Sequence, residues 1–193
     1  MYYLVFGLLV FLGVHSVRMV ANDWRTKIRK KLGVPAWRAM YSLASLLGFA
    51  LVVWGFGVAR QSPVQWWIPP LGMKHLALPL TLLAFVLLAS AYVPGNRIKM
   101  RVQHPMAGAV ILWSLAHLLT NGNSAHILLF GAFLVWSMLS LAVARQRERS
   151  DGTYYHLTVS KGSTGVSVAL GVALWIAFTL WLHGLLIGVR PLG

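Results

Sequence analysis

Six runs of mostly apolar residues, each about long enough to cross a bilayer, constrain this chain more than any other feature. They cover approximately residues 2–21, 37–59, 75–94, 105–121, 124–144 and 166–188, and a helix needs about 20 residues to span the hydrocarbon core. Composition agrees: 58% of residues are hydrophobic and only 10% charged, whereas a soluble domain carries roughly a quarter charged residues. The expected fold class is all-α, an integral membrane bundle of about six transmembrane helices forming a single domain over residues 1–193. The first run lacks a basic leader and a small-residue cleavage site, so it is expected to be a retained span. The fourth run is short, and Pro105 suits its first turn, where a missing N–H costs nothing. Pro79 lies early in the third and is expected to kink it.

The 17 Lys and Arg against 3 acidic residues do not point to nucleic acid, because the basic residues sit in short gaps between apolar runs. There they orient helices and meet anionic headgroups. Arg25, Lys27, Arg29, Lys30, Lys31 and Arg38 cluster in and beside the first gap, Arg97, Lys99 and Arg101 in the third, and Arg145, Arg147, Arg149 and Lys161 in the fifth. These are 13 of the 17. The second gap holds only Arg60 and Lys74, the turn 121–124 has no basic residue, and Arg190 stands alone near the end. The positive-inside rule then makes the odd-numbered gaps cytoplasmic, and both termini face outward. Trp66 and Trp67, followed by Pro69 and Pro70, read as an outer interfacial segment, and Trp24 and Trp37 as inner anchors. The polar stretch from Gln146 to Gly165 reads as a surface loop with a short extended piece through Tyr154–Val159; it carries Glu148 and Asp151. There is no cysteine, which excludes disulfides, thiolate metal ligands and cysteine nucleophiles.

Candidate chemistry centres on the stretch from His104 to Trp136, two apolar helices joined by the turn Asn121-Gly122-Asn123-Ser124, where Gly122 is placed to adopt a positive φ. A histidine deep in an apolar segment marks a functional site with a partner; the structural alternative is a neutral imidazole bonded to a Ser or Asn nearby. Converting position to depth at about 1.5 Å per residue places His75, His126 and His183 near outer span ends. His104 falls at the inner mouth of span four and His156 in the inner loop. Only His15 and His117 land well inside, His15 about 20 Å from the outer end of span one and His117 about 18 Å from the inner end of span four. Arg18, one turn from His15, needs an anion or a snorkelling path to headgroups.

No acidic residue lies in any span, which argues against proton relays and cation transport. Two imidazoles are too few for a hydrolytic zinc centre. They suit the axial positions of a haem between spans one and four, with Arg18, Arg97 or Arg101 toward its propionates. The outer trio His75, His126 and His183 is a second candidate metal site, with polar caps at a wet interface as the alternative.

Several segments together resemble the NnrU family: His15-Ser16-Val17-Arg18, Val93-Pro94-Gly95-Asn96, His104-Pro105-Met106, Trp113-Ser114-Leu115-Ala116-His117, Asn121-Gly122 and Leu129-Phe130-Gly131-Ala132-Phe133. The likeness runs almost continuously through spans one to five. It implies a multi-pass protein of the bacterial inner membrane, so that the outward termini are periplasmic, linked to denitrification and nitric oxide metabolism. The family also includes 15-cis-ζ-carotene isomerase, an integral membrane enzyme using haem b. Its two ligand segments match His15 and His117, so the resemblance implies haem b iron held by these residues, with Trp113, Ser114, Arg18 and Arg101 in the surrounding site. The isomerase has a cysteine where this chain has Ser114, and a hydroxyl is a poor iron ligand beside a thiolate. The ligand-switch part of the isomerase mechanism therefore does not carry over directly.

The expected activity is redox or isomerase-type chemistry on a lipophilic, polyene-like substrate. The non-enzymatic alternative is a haem sensor or an assembly factor with a respiratory protein partner. Membrane lipids are expected partners in either case, and nucleic acid is not. A more distant likeness, of Arg101-Val102-Gln103-His104-Pro105 to the Arg-His-Pro signature of membrane methyltransferases, implies S-adenosylmethionine at the cytoplasmic mouth. Those enzymes carry further acidic residues in the later loop, which here reduce to Glu148, so the likeness bears on fold more than on activity.

Overall fold

The computed structural model describes residues 1–70, 72–151 and 159–192, the side chain of Asp151 excepted. These residues are overwhelmingly helical and contain no strand, only an isolated antiparallel bridge between Gln65 and Asn123. Five helices are long and apolar enough to cross a membrane: α1 (Tyr2–Val20), α3 (Val34–Ala59), α4 (Met73–Tyr92), α7 (Ser124–Asp151) and a final helix over Lys161–Ile187. A further apolar helix, α6 (Pro105–Thr120), is shorter, at 16 residues. This is a multi-pass membrane protein. Leu9, Leu46, Leu47, Val53, Leu76 and Trp181 are among many large apolar side chains left exposed, as lipid contact requires.

Two charged gaps are more ordered than the sequence suggests. The first forms α2 (Asn22–Leu32), with Asp23 in its first turn and Arg29, Lys30 and Lys31 in its last, each matching the helix dipole. The expected surface loop from Gln146 is corrected: α7 continues to Asp151, and α8 (Lys161–Ala177) begins well before Gly165. Gln, Arg and Glu are good helix formers, so a span continues past the membrane surface at little cost. His156 and most of the expected extended piece, up to Thr158, lie outside the described residues.

The chain divides into two compact units. The first, Met1–Pro69 with Asn121–Ala144, is built on α1 against α3. Lipid tails are as apolar as the side chains, so such a pair is held by close van der Waals packing at small residues. A Cβ on Gly7, Gly48 or Gly55 would come within 2.7, 2.9 and 2.6 Å of the facing backbone, so the two helices touch main chain to main chain. The segment before Pro69 docks on the 121–124 turn: Trp66 and Trp67 N–H groups donate to Gly122 O at 2.9 and 3.2 Å, and Ser124 N–H donates to Val64 O at 2.8 Å. Gly122 does not adopt the expected positive φ. It is glycine because the Trp67 carbonyl occupies the place a side chain would take.

The second unit, Pro70–Thr120 with Arg145–Gly193, packs α4 on α6 and α8. Pro79 stands inside α4, which runs on without a break, while Thr81 Oγ1 donates to Leu78 O at 2.9 Å and accepts from Trp175 Nε1 at 3.0 Å. Asn96 is fully buried and latches the end of α4 to α5 (Arg97–Val102). Its Nδ2 donates to Ser90 O and Val93 O at 2.8 and 2.6 Å, and its Oδ1 accepts from Lys99 N–H at 2.7 Å. Gly95 O accepts from Ser160 N–H at 2.9 Å, bringing in the start of α8. The last helix carries a π turn over Phe178–Leu182 before α9 (His183–Ile187).

Candidate functional site

His15 lies in the C-terminal part of α1, five residues before its end. Its Nδ1 is 2.7 Å from Phe11 O. A carbonyl only accepts, so Nδ1 carries the proton and Nε2 the lone pair, the tautomer that metal-ligating imidazoles use. The ring is walled by Phe11, Tyr41 and Trp136, with centroids at 4.3, 5.5 and 6.1 Å. Ser16 Oγ, beside it, donates to Leu12 O and accepts from Trp136 Nε1 at 3.1 Å, which fixes that wall. His15 and Arg18 line a cavity of about 240 Å³ together with Val14, Val17, Arg25, Trp37 and Tyr41.

In the other unit, His117 stands in the last turn of α6. Its Nδ1 is 2.8 Å from Trp113 O, so Nε2 is again the lone-pair nitrogen. The Trp113 ring centroid is 5.2 Å away. Ser114 is completely buried and its Oγ has no hydrogen-bond partner, an expensive state for a hydroxyl in an apolar setting. Trp113, Ser114 and His117 thus form one local group, as their spacing implies. Arg101 lies exposed in α5, before α6, in which His117 stands about 18 Å from the first residue. Of the cations proposed for haem carboxylates, Arg18 shares a cavity with a candidate ligand, His15.

Sequence depth grouped His183 with the outer histidines, but its ring lies 6.4 Å from that of His117, with the planes 20° apart. Its Nδ1 is 2.6 Å from Val189 O, and the π turn immediately precedes it; such turns recur at functional sites. The one signal for this neighbour was that both residues fall within a turn or so of helix ends. Among the described residues no three His, Asp or Glu side chains gather as a metal site. Sequence reasoning also missed Arg25, Trp37 and Tyr41 around His15. Trp37 and Tyr41, at i and i+4, share a face of α3, which was the available clue.

A third contact lies at the start of α6. His104 Nε2 is 3.0 Å from Glu148 Oε2, without hydrogen-bond alignment. Gln103, just before, has a positive φ of 62°, which turns the chain from α5 into α6.

A family model described as NnrU protein matches residues 3–191, nearly the whole chain. The chain belongs to the NnrU family. No curated protein and no solved structure shows a match. The segments that NnrU resemblance rests on now have structural roles: Asn96 is the α4–α5 latch, Gly122 admits the Trp67 carbonyl, and His15 and His117 both expose Nε2 as donor. Taken one at a time, each imidazole has the chemistry of a haem ligand: it is in the ligating tautomer, is held by its own helix carbonyl and is flanked by aromatic rings. The orphaned Ser114 hydroxyl lies one turn from His117.

Proposed function

We propose that this NnrU protein binds haem b through His15 and His117 in a bacterial inner membrane, and serves redox or isomerase-type chemistry on a lipophilic, polyene-like substrate linked to denitrification and nitric oxide metabolism. The observation that carries the reading is the shared state of the two histidines, both with Nδ1 donating to the carbonyl four residues back. That bond fixes the ring and raises the basicity of Nε2. When bound, a haem would supply one-electron chemistry at iron. The residues themselves orient the imidazoles, exclude water with Phe11, Trp136 and Trp113, and offer Arg18 to an anionic edge.

The test is the optical spectrum of the full chain purified in mild detergent. Wild type should show a low-spin b-type spectrum; His15→Ala or His117→Ala should turn the iron high-spin, open it to carbon monoxide or lose it, and the double variant should hold none. Turnover of a cis-polyene separates an enzyme from a haem sensor or assembly factor. His183→Ala is decisive because of its proximity to His117: a low-spin spectrum kept in His15→Ala and lost in His183→Ala moves the second ligand to His183.

The His104–Glu148 contact favours one second reading, a methyltransferase-like site at the start of α6. Saturable S-adenosylmethionine binding at micromolar concentration, lost in His104→Ala, would establish it over the haem reading.

A further inference from the structure

The cavity that His15 lines also holds groups that axial ligation does not use. Arg18 comes to it from α1, Arg25 from α2, and Trp37 and Tyr41 from α3. Two guanidiniums share one small concavity, and none of its lining side chains is acidic. Arg25 is held in place, with Cζ 5.9 Å from the centroid of the Trp37 ring, a cation–π distance. The guanidinium is planar and presents paired donors that match phosphate oxygens, so it recognises an oxyanion bidentately where an ammonium would not.

Position narrows the class of anion. The cavity lies where the apolar span α1 gives way to the strongly charged α2, with the break at Ala21. That is headgroup level. Trp and Tyr favour it for their apolar bodies and polar tips, and basic pockets between helices there take anionic headgroups. The volume of about 240 Å³ falls below the roughly 300–1,000 Å³ of sites enclosing a drug-sized ligand. It suits a headgroup, with Val14 and Val17 continuing the wall toward the acyl region.

We propose that the cavity formed by Arg18, Arg25, Trp37 and Tyr41 binds the phosphate of an anionic phospholipid. His15, a proposed haem ligand, lines the same cavity, so lipid and haem would meet at Arg18. A haem carboxylate offers related oxyanion chemistry, and the experiment separates the two.

The full chain, expressed with and without haem supply, is exchanged into micelles of equimolar phosphatidylglycerol and phosphatidylcholine, and retained lipid is counted by native mass spectrometry. Wild type should keep phosphatidylglycerol selectively in both preparations. Arg18→Gln with Arg25→Gln should lower that retention at least about tenfold, as loss of charge-assisted hydrogen bonds implies. Arg29→Gln with Lys30→Gln, which removes the same charge from α2, should not. Arg25→Lys keeps charge and fold but loses the planar fork, and should weaken retention severalfold while the protein stays monodisperse. Equal loss in the α2 control pair would reduce the effect to diffuse surface charge and overturn the site. Unchanged lipid retention with weakened haem binding in the Arg18, Arg25 variant would assign the anion to haem and overturn it as well.

Discussion

Replacing Gly55 with Ala tests whether α1 and α3 are joined backbone to backbone. The added Cβ would lie 2.6 Å from Leu4 N, 2.7 Å from Tyr3 C and 2.8 Å from Leu4 Cα. All three are main-chain atoms, so no rotamer change relieves the clash. Ordinary contact begins near 3.4 Å, so the helices must part by about 0.8 Å at this crossing, and neighbouring contacts loosen with them. Overpacking of this kind costs about 1–3 kcal/mol, which for a chain of this size is a fall in Tm of roughly 2–10 °C. Gly57→Ala is the matched control, two residues along the same helix, where a Cβ meets nothing within 4 Å; it should be neutral or slightly stabilising, since Ala is the better helix former. The assay is thermal unfolding in detergent followed by loss of the monodisperse size-exclusion peak. Equal Tm values for Gly55→Ala and Gly57→Ala would refute the close approach and the packing argument built on it.

Ser114→Cys places a thiol one turn from His117; if switching depends on that thiolate alone, the oxidised haem protein should gain a thiolate-ligated Soret band that disappears on reduction. His75→Ala and His126→Ala should leave the haem spectrum unchanged, and a shift to high spin in either would displace His15 or His117 from the site. Asn96→Ala should cost about 2–4 kcal/mol, because it removes the α4–α5 latch and strands buried backbone groups; a Tm equal to wild type would show that the latch is dispensable. A periplasm-active reporter fused at the C-terminus should be active, and strong activity from a cytoplasm-only reporter there would reverse the orientation inferred from the basic gaps.

Hydropathy alone determined the six apolar helices, because in lipid each span must satisfy its own backbone and needs a nearly unbroken apolar run to do so. His15 and His117 were singled out for the same reason, since a polar ring among Leu, Val and Phe stands out when the solvent is hydrocarbon; the structure puts His117 in the last turn of α6. Local sequence also predicted the grouping of Trp113, Ser114 and His117, since a turn of helix fixes it. Everything that depends on which faces meet was decided by the tertiary structure. Gly122 looks like a residue chosen for its φ, and is instead a gap filled by the Trp67 carbonyl from 55 positions earlier. Trp37 reads as an interface anchor until Arg25 is found over its ring, at 5.9 Å from the centroid. His183 reads as an outer cap until its ring is found beside His117. In each case the deciding partner comes from a distant part of the chain or another helix, and the periodicity of one helix carries no record of its neighbour's rotation or height.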